Sequence, residues 1–307
     1  MNLKSVEIFK ELSDDVLENL SKILDERKVK KGTVIFEESS PADVFCIVAE
    51  GQVEVFKRLS EGGTKTLAVL SVGDYFGEMS LLEDKPRIAS VKTMNDIVLL
   101  EIKKKKFLDL ISGNLNIGMK LLSAIMSTTL NRLSATNSHL ALLYDTGKII
   151  ASSKNLRQMT ATSFSNLAKH FKKADSGLIV VHNEFTDELD VHSAINLNVV
   201  SDTIPSTDLL VSKIRENKEI LLNKVTSEYK TDFLDGQSLI ASAFYFEERF
   251  LGFILFSGSY ENAFTMNDSI LLSSVASLIS VSIKNISFIS EEVARKQLEQ
   301  TRHMQSF

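Results

Sequence analysis

The feature that most constrains the fold is a change of pattern near Val29 and a second change near Phe107. Between them the chain consists of short β-branched segments interrupted by Gly, Asn or Asp, which is typical of strands separated by turns. From Val53 to Val55, apolar and polar residues alternate, which indicates a strand with one buried face. Several such strands in succession predict a small antiparallel barrel or jelly roll.

A long helical stretch is predicted after the strands, from Phe107 to about Ser153. Within it, residues recur at alternating steps of four and three, the spacing of a heptad seam. The members of this first seam are Leu122, Met126, Thr129, Leu133, Thr136, Leu140 and Leu143. Two compatible interpretations are open: the helix packs on its own barrel, or the seam joins two copies of the chain.

Residues 155–285 predict a second, mixed unit of helices and strands. Its last strand segment, "SLIASAFYFEERFLGFILFSG", is typical of two apolar strands joined by a charged turn at Glu247, Glu248 and Arg249. A long helix from about Met266 ends the chain and carries a second seam with the same spacing. The members of the second seam are Leu272, Val275, Ile279, Ser282, Ile286, Ile289 and Val293. The helix ends without a cap, so it either frays or continues in a longer natural chain.

Composition excludes several classes of protein. A net charge of −5 argues against a nucleic-acid-binding surface over the whole molecule. The single cysteine, Cys46, excludes intramolecular disulfides and multi-cysteine metal sites, and suits a reducing cytoplasm. The N-terminus has acidic residues too early for a signal peptide, and no run of about 18 apolar residues suggests a membrane span. We therefore expect a cytoplasmic protein that binds neither membrane nor nucleic acid.

The chain offers little that predicts catalysis or a metal site. His182 and His192 are expected on separate strands without a third ligand, and these two and His170 are expected at the surface or hydrogen-bonded. The lysines at 103–106 are interpreted as the solvated start of a helix. Neither a nucleophile elbow nor a pair of catalytic carboxylates is evident. We expect no metal, no cofactor and no enzymatic activity within these residues.

The stretch "GDYFGEMSLLEDKPRIASV", Gly73 to Val91, carries one glutamate and one arginine among apolar residues, Glu78 and Arg87. Charges in such surroundings are seldom buried unless something pairs with them. The planar fork of an arginine suits a phosphate, and a carboxylate accepts from a sugar hydroxyl. A short helix starting at "GEMSLL" would direct its positive end to the same place. The two charges therefore predict a ligand with an anion at one end of a sugar.

The same stretch closely resembles the phosphate-binding cassette of the cyclic-nucleotide-binding domain family. That pattern is Gly-Asp-x-Phe-Gly-Glu, a short variable loop, and Pro-Arg-x-Ala-x-Val, and the similarity extends over about residues 6–133. The resemblance implies that Arg87 binds the cyclic phosphate of cAMP or cGMP and that Glu78 binds the ribose 2′-hydroxyl. The other ligand-binding residues that it implies are Gly77, Met79, Ser80, Ile88 and Ala89.

Two positions depart from the family pattern. The family often has a Gly just before the Ala-Asp strand, whereas this chain reads "EESSPAD", so that turn must be built differently. After the arginine the family often has Thr, Ser or Ala, and a hydroxyl there tends to favour cGMP. Ile88 has no hydroxyl, which favours cAMP.

Residues 140–285 resemble a GAF domain, in which helices flank an antiparallel sheet and long helices lie at both ends. Only half of the pattern of nucleotide-binding GAF domains is present, at Ser257-Gly258, Phe264 and Asp268-Ser269. The predicted fold is α+β: an antiparallel β-barrel or jelly roll joined by a long helix to a GAF-like α/β/α domain with an antiparallel sheet. The predicted parts are a cyclic-nucleotide-binding β-roll over 1–112, a lid or connector helix over 113–139, the GAF-like domain over 140–285 and a signalling helix over 286–307.

Three functions fit these patterns. The first is a cytoplasmic sensor in which cAMP, or less favourably cGMP, acts through helices on the GAF-like domain and a downstream output. The second is the regulatory part of a larger enzyme, a nucleotide cyclase or protein phosphatase, whose catalytic domain follows residue 307. The third, a catabolite-activator-type transcription regulator, needs a helix-turn-helix where the sequence is mixed α/β. We expect a homodimer through helices 115–145 and 270–296.

Overall fold

The computed structural model describes residues 3–60, 62–78, 86–153, 155–197, 202–231, 233–234 and 236–305, with the backbone alone for 287–305. The chain divides into two compact units, residues 1–136 and 137–307.

The first unit contains eight strands within its described residues, preceded by helix α1 (Asp14–Ile23). The strands are β1 (Asp25–Val29), β2 (Val34–Phe36), β3 (Val44–Glu50), β4 (Val53–Arg58), β5 (Thr64–Leu70), β6 (Tyr75–Phe76), β7 (Ser90–Thr93) and β8 (Ile97–Lys103). They form two antiparallel sheets, in the orders β1-β8-β3-β6 and β2-β7-β4-β5. Each is an open row of strands among the described residues, so the jelly-roll form of the prediction is confirmed and a closed barrel is not formed.

Two clusters of buried side chains hold the first unit together. One joins the two sheets through residues such as Val48, Val53 and Leu99. The other packs α1 and the later helices against the outer face of the first sheet, around Phe45 and Phe107. Alternation along β4, where Val53 is buried in the first cluster and Val55 packs partly against it, follows from a strand with one face in the core.

The helical stretch after β8 is two helices, α2 (Lys104–Gly113) and α3 (Leu115–Ser152). The break falls at Asn114, whose backbone is extended and whose side-chain oxygen accepts from the N–H groups of Asn116 and Ile117. This is the usual capping chemistry of an asparagine at a helix start. Helix α2 begins at Lys104, earlier than the predicted Phe107. Three of the four lysines lie at its start as predicted, and Lys103 is the last residue of β8.

The two faces of α3 differ in burial. Leu121 and Ile125 are fully buried in the first unit's core. The first seam lies on another face, where Met126 is 60% exposed and Leu133 is 55% exposed. Of its other members, Leu122, Thr129, Thr136 and Leu140 are also exposed, and Leu143 is half-buried. The helix thus packs on its own unit and still presents an apolar stripe to solvent.

The second unit is built on one six-stranded antiparallel sheet in the order β11-β10-β9-β14-β13-β12. Its strands are β9 (Ser176–Asn183), β10 (Glu188–Ile195), β11 (Thr203–Pro205), β12 (Glu219–Leu222), β13 (Ser238–Phe246) and β14 (Arg249–Gly258). Its helices are α4 (Leu156–His170), α5 (Leu209–Asn217) and α6 (Met266–Gln305). The predicted charged turn between the last two strands is confirmed, with Glu247 at a φ of 55°.

Alternate residues of the central strands enter cores on opposite faces of this sheet. Ile254 and Phe256 pack with α4 and α6, whereas Phe253 and Leu255 pack with α5. Helices therefore cover both faces, and β14 is apolar almost throughout because neither of its faces meets water.

The members of the second seam whose side chains the structure describes lie in the core of the second unit. Leu272, Val275 and Ile279 are fully buried in the unit's own core, and Ser282 is buried too. Ile286 packs against the same core, and the side chains of Ile289 and Val293 lie outside the described residues. A helix that packs on a sheet also has apolar residues at steps of three and four, because one of its faces is buried. The packing of α6 on the sheet accounts for this pattern.

Part of α6 is also long and apolar enough to cross a membrane by length and composition. Within this segment, Met266–Ile286, a window of 18 residues has a mean hydropathy of 1.5, and half of that window is buried inside the protein. The sequence prediction did not single it out. Its burial against the sheet is the packing expected of a core helix.

Candidate ligand-binding site

The candidate site begins where β6 ends. Tyr75 and Phe76 pair with β3, and the chain then turns at Gly77, whose φ is 84°. A Cβ at Gly77 would overlap the guanidinium of Arg87 and would lie 2.9 Å from the carbonyl oxygen of Val44. Only glycine combines this backbone conformation with such a close approach. Gly77 therefore brings the backbone before Glu78 directly against Arg87.

Arg87 is a buried cation, with 6% of its surface exposed. Its Nη2 donates to the carbonyl oxygen of Val44 at 2.6 Å, and its Cζ lies 3.6 Å from the centre of the Phe36 ring. Burial lowers the pKa of Arg87 from its ordinary value, while Cys46, Asp43 and Glu78 act in the opposite direction. An arginine nevertheless stays protonated in proteins, so the site holds a fixed positive charge.

The backbone of Arg87 is fixed by the segment that replaces the family's glycine turn. Ser39 has a φ of 65°, and its N–H donates to the Arg87 carbonyl at 2.7 Å. The Arg87 N–H donates to the carbonyl of Ser40 at 2.9 Å. The turn at "EESSPAD", which lacks the glycine of the family pattern, is thus formed with Ser39 in the left-handed conformation. This conformation costs about 1–3 kcal/mol of strain.

Glu78 is a buried carboxylate, 9% exposed, and an arginine from α3 reaches it. The Nη1 of Arg132 lies 3.4 Å from Oε1 of Glu78, and its Nη2 donates to the carbonyl of Tyr75 at 2.8 Å. The same guanidinium lies 4.9 Å from the centre of the Tyr75 ring. A buried carboxylate is costly without such a partner, so Arg132 stabilises Glu78 and ties it to α3.

The sequence interpretation missed Arg132 and Phe36. A signal for Arg132 exists, because it is the only lysine or arginine between Lys120 and Lys148. An isolated cation in a helix of apolar and hydroxyl residues indicates a partner elsewhere in the fold. Phe36 gives no comparable signal, since an aromatic residue in a strand is ordinary core material.

The other predicted site residues fall in two groups. Ile88 is 58% exposed and Ala89 is half-buried, directly after Arg87. Met79 and Ser80 lie outside the described residues, as does most of the short helix predicted at "GEMSLL".

The structure gives each of the three histidines named from the sequence a nearby side-chain partner. Nε2 of His182 lies 2.9 Å from Asp187, Nδ1 of His192 lies 2.6 Å from the Thr160 hydroxyl, and His170 packs against His139. These contacts confirm the prediction of hydrogen-bonded rings for the first two. Among the described residues, no group of three or more potential metal ligands lies together.

Comparison with known proteins identifies the region around this site. The family model for the cyclic nucleotide-binding domain matches residues 26–114. A cAMP-dependent protein kinase regulatory subunit from Aspergillus fumigatus is 34% identical over 105 residues, which are 34% of this chain and 25% of that protein. Residues 26–114, which contain Glu78 and Arg87, therefore match the cyclic nucleotide-binding domain family.

Two further relatives match longer parts of the chain. A CRP-like cAMP-activated global transcriptional regulator from Mycobacterium tuberculosis is 26% identical over 181 residues, 59% of this chain and 75% of that protein. The crystal structure of the Thermus thermophilus catabolite activator protein is 26% identical, covers 47% of this chain and 67% of its own, and has a TM-score of 0.41. The chain spans about a quarter of the length of the Aspergillus relative.

Proposed function

We propose that the chain is a cytoplasmic cAMP sensor whose first unit binds the nucleotide between Glu78 and Arg87. The observation that carries this proposal is the buried guanidinium of Arg87, held by the Val44 carbonyl and the Phe36 ring beside the bare backbone of Gly77. A buried guanidinium is suited to an anionic ligand, because its planar fork of donors matches the oxygens of a phosphate.

Each of the two charged side chains is proposed to bind one end of the ligand. The guanidinium of Arg87 donates to the exocyclic oxygens of the cyclic phosphate, with the Gly77 backbone alongside. The carboxylate of Glu78 accepts from the ribose 2′-hydroxyl, because an ionised carboxylate is an acceptor only. Met79, Ser80, Ile88 and Ala89 complete the cassette. The apolar side chain of Ile88 offers no hydroxyl to a guanine, which favours cAMP over cGMP.

The contact between Glu78 and Arg132 supports a route from the ligand to helix α3. In the proposed complex the ribose hydroxyl and the guanidinium of Arg132 both contact the carboxylate of Glu78. Binding of the ligand would therefore change the interaction between Glu78 and Arg132, a residue of α3. A ligand shifts the equilibrium between two arrangements of a helix only if it binds to one arrangement more tightly than to the other. Glu78 is the group through which that difference arises.

The second unit is proposed to be a GAF-like domain that receives this signal. Its antiparallel sheet with helices on both faces, and the long helices α3 and α6 before and after it, support the assignment. The alternative is that the chain is the regulatory part of a larger enzyme. The similarity to a CRP-like regulator keeps a transcription regulator as a third candidate, but the described residues after α3 form a sheet where that class needs a helix-turn-helix.

Calorimetric titration of the full chain tests the proposed ligand. We expect cAMP to bind with micromolar or tighter affinity and cGMP to bind more weakly, for the reason given for Ile88. The open nucleotide 5′-AMP is the control, since it has the base and the ribose but no cyclic phosphate and is expected to bind at least tenfold more weakly, roughly 1.4 kcal/mol. Absence of binding by both cyclic nucleotides would contradict the proposal.

The exposed seam of α3 is proposed to join two copies of the chain. Its apolar residues at heptad spacing supply the buried face of a two-stranded contact, and Met126 and Leu133 are two of its well-exposed apolar members. We expect light scattering to show a dimer at tens of micromolar, and the double variant Met126→Glu, Leu133→Glu to be a monomer. Asn131→Glu adds one negative charge, half of what the double variant adds, at an exposed position outside the seam and should remain a dimer. A monomeric wild type would refute this interface.

A further inference from the structure

Phe36 lies directly beneath the cation of the proposed site. It is the last residue of β2, and its ring centre is 3.6 Å from the Cζ of Arg87. The ring also meets the edge of Phe76 at a centroid distance of 5.6 Å. Phe36 therefore contacts both Arg87 and the residue that precedes Gly77, so one ring joins the two halves of the cassette.

The residues that follow Phe36 hold the main chain of Arg87. Ser39 and Ser40 exchange hydrogen bonds with its carbonyl and N–H, at 2.7 and 2.9 Å. The N–H of Glu38 donates to the hydroxyl of Ser90 at 2.9 Å. The short segment 36–40 thus fixes Arg87 twice, by its backbone and by the face of its guanidinium.

A ring on the face of a guanidinium constrains it differently from a hydrogen bond. The N–H donors of arginine lie in the guanidinium plane, so an aromatic ring against the face restricts tilting while the edges remain available to acceptors. Nη2 already donates to Val44, which fixes rotation within the plane. A cation–π contact is worth about 0.5–2 kcal/mol and increases as water is removed. Both restraints together define the direction in which the remaining donors point.

We propose that Phe36 is a positioning residue of the anion site, whose ring fixes the plane of the Arg87 guanidinium and so sets which phosphate oxygens it can bind. This inference rests on the proposed binding of a cyclic nucleotide by the first unit. It assigns to β2 a part in ligand recognition that the cassette motif itself does not contain.

The test uses the two diastereomers of cAMP in which one exocyclic phosphate oxygen is replaced by sulfur. A guanidinium held in one plane distinguishes the two oxygens, so the wild type should bind one diastereomer more tightly. In Phe36→Leu we expect cAMP to bind about tenfold more weakly, equivalent to about 1.4 kcal/mol, and the preference between diastereomers to fall by at least threefold. Phe36→Tyr keeps the ring and should keep both the affinity and the preference.

A matched variant separates positioning from packing. Phe56 is a buried aromatic residue of β4 in the same sheet as Phe36, so Phe56→Leu removes a ring from the core and leaves the contact with Arg87 intact. It should lower the melting temperature but preserve the preference between diastereomers. A preference unchanged in Phe36→Leu, or absent in the wild type, would overturn this inference while leaving cAMP binding established. Failure of the wild type to bind cAMP at all would overturn the proposed function together with it.

Discussion

Replacement of Arg87 by Ala is expected to weaken cAMP binding by at least about 100-fold. A hydrogen bond to a charged partner contributes roughly 1.5–3 kcal/mol, and a phosphate takes two from a guanidinium. The substitution also leaves the Val44 carbonyl without its 2.6 Å donor in a buried environment. We therefore expect a loss of about 1–3 kcal/mol in the free energy of unfolding as well. Calorimetry measures the first effect and denaturant titration the second.

Two further variants make the Arg87 experiment specific. Arg87→Lys keeps the positive charge but loses the planar fork, so we expect binding intermediate between the wild type and Arg87→Ala. Arg58, on β4, is an exposed arginine whose Nη2 lies 3.1 Å from Glu37, and Arg58→Ala should leave the affinity for cAMP unchanged. Arg87→Ala binding within about threefold of the wild type, a cost below roughly 0.7 kcal/mol, would show that the phosphate is bound elsewhere.

The two arginines near the proposed site are held by different parts of the structure. Arg87 belongs to the β-roll and is fixed by its surroundings, whereas Arg132 comes from α3 and is held through Glu78 and the Tyr75 carbonyl. A fixed cation provides affinity, because no reorganisation is needed when the anion arrives. In the proposed function, the cation on α3 links the ligand to that helix, because Glu78 is proposed to meet both the ribose and Arg132.

The parts of the fold that the sequence predicted are those set by local pattern. Alternation in β4 and the apolar run of β14 predicted strands because burial on one face or on both leaves a direct trace in residue order. The turn at Glu247 was similarly visible from its charges. Glu78 and Arg87 were recognisable because both lie within one short stretch. Their roles toward a ligand remain predictions.

The contacts that organise the site were not visible, because they join distant parts of the chain. Val44 is 43 positions from Arg87, and Glu78 is 54 positions from Arg132. Neither pair follows from spacing along one element. The second seam is a different case: the pattern of Leu272, Val275 and Ile279 suits a coiled coil and a core helix equally, and the structure packs these three side chains in the core of the second unit.

Replacement of Gly77 by Ala should be nearly as damaging to binding as the loss of Arg87 itself. The φ of 84° strains any residue with a side chain, at a cost of about 1–3 kcal/mol in stability. The new Cβ would also overlap the Arg87 guanidinium. The guanidinium has little freedom to move aside, since Val44 holds its edge and Phe36 its face. We expect cAMP to bind about 100-fold more weakly, equivalent to about 2.7 kcal/mol, by calorimetry.

Gly32 provides a control that separates backbone strain from the overlap. Its φ is 80°, close to that of Gly77, but a Cβ at Gly32 would meet nothing within 4 Å. Gly32→Ala should therefore show a comparable strain-related loss of stability, while its affinity for cAMP stays within about twofold of the wild type, a difference of roughly 0.4 kcal/mol. If Gly77→Ala also bound cAMP with near wild-type affinity, Arg87 would have to be free to leave its place. The fixed guanidinium on which the proposed recognition of phosphate depends would then be refuted.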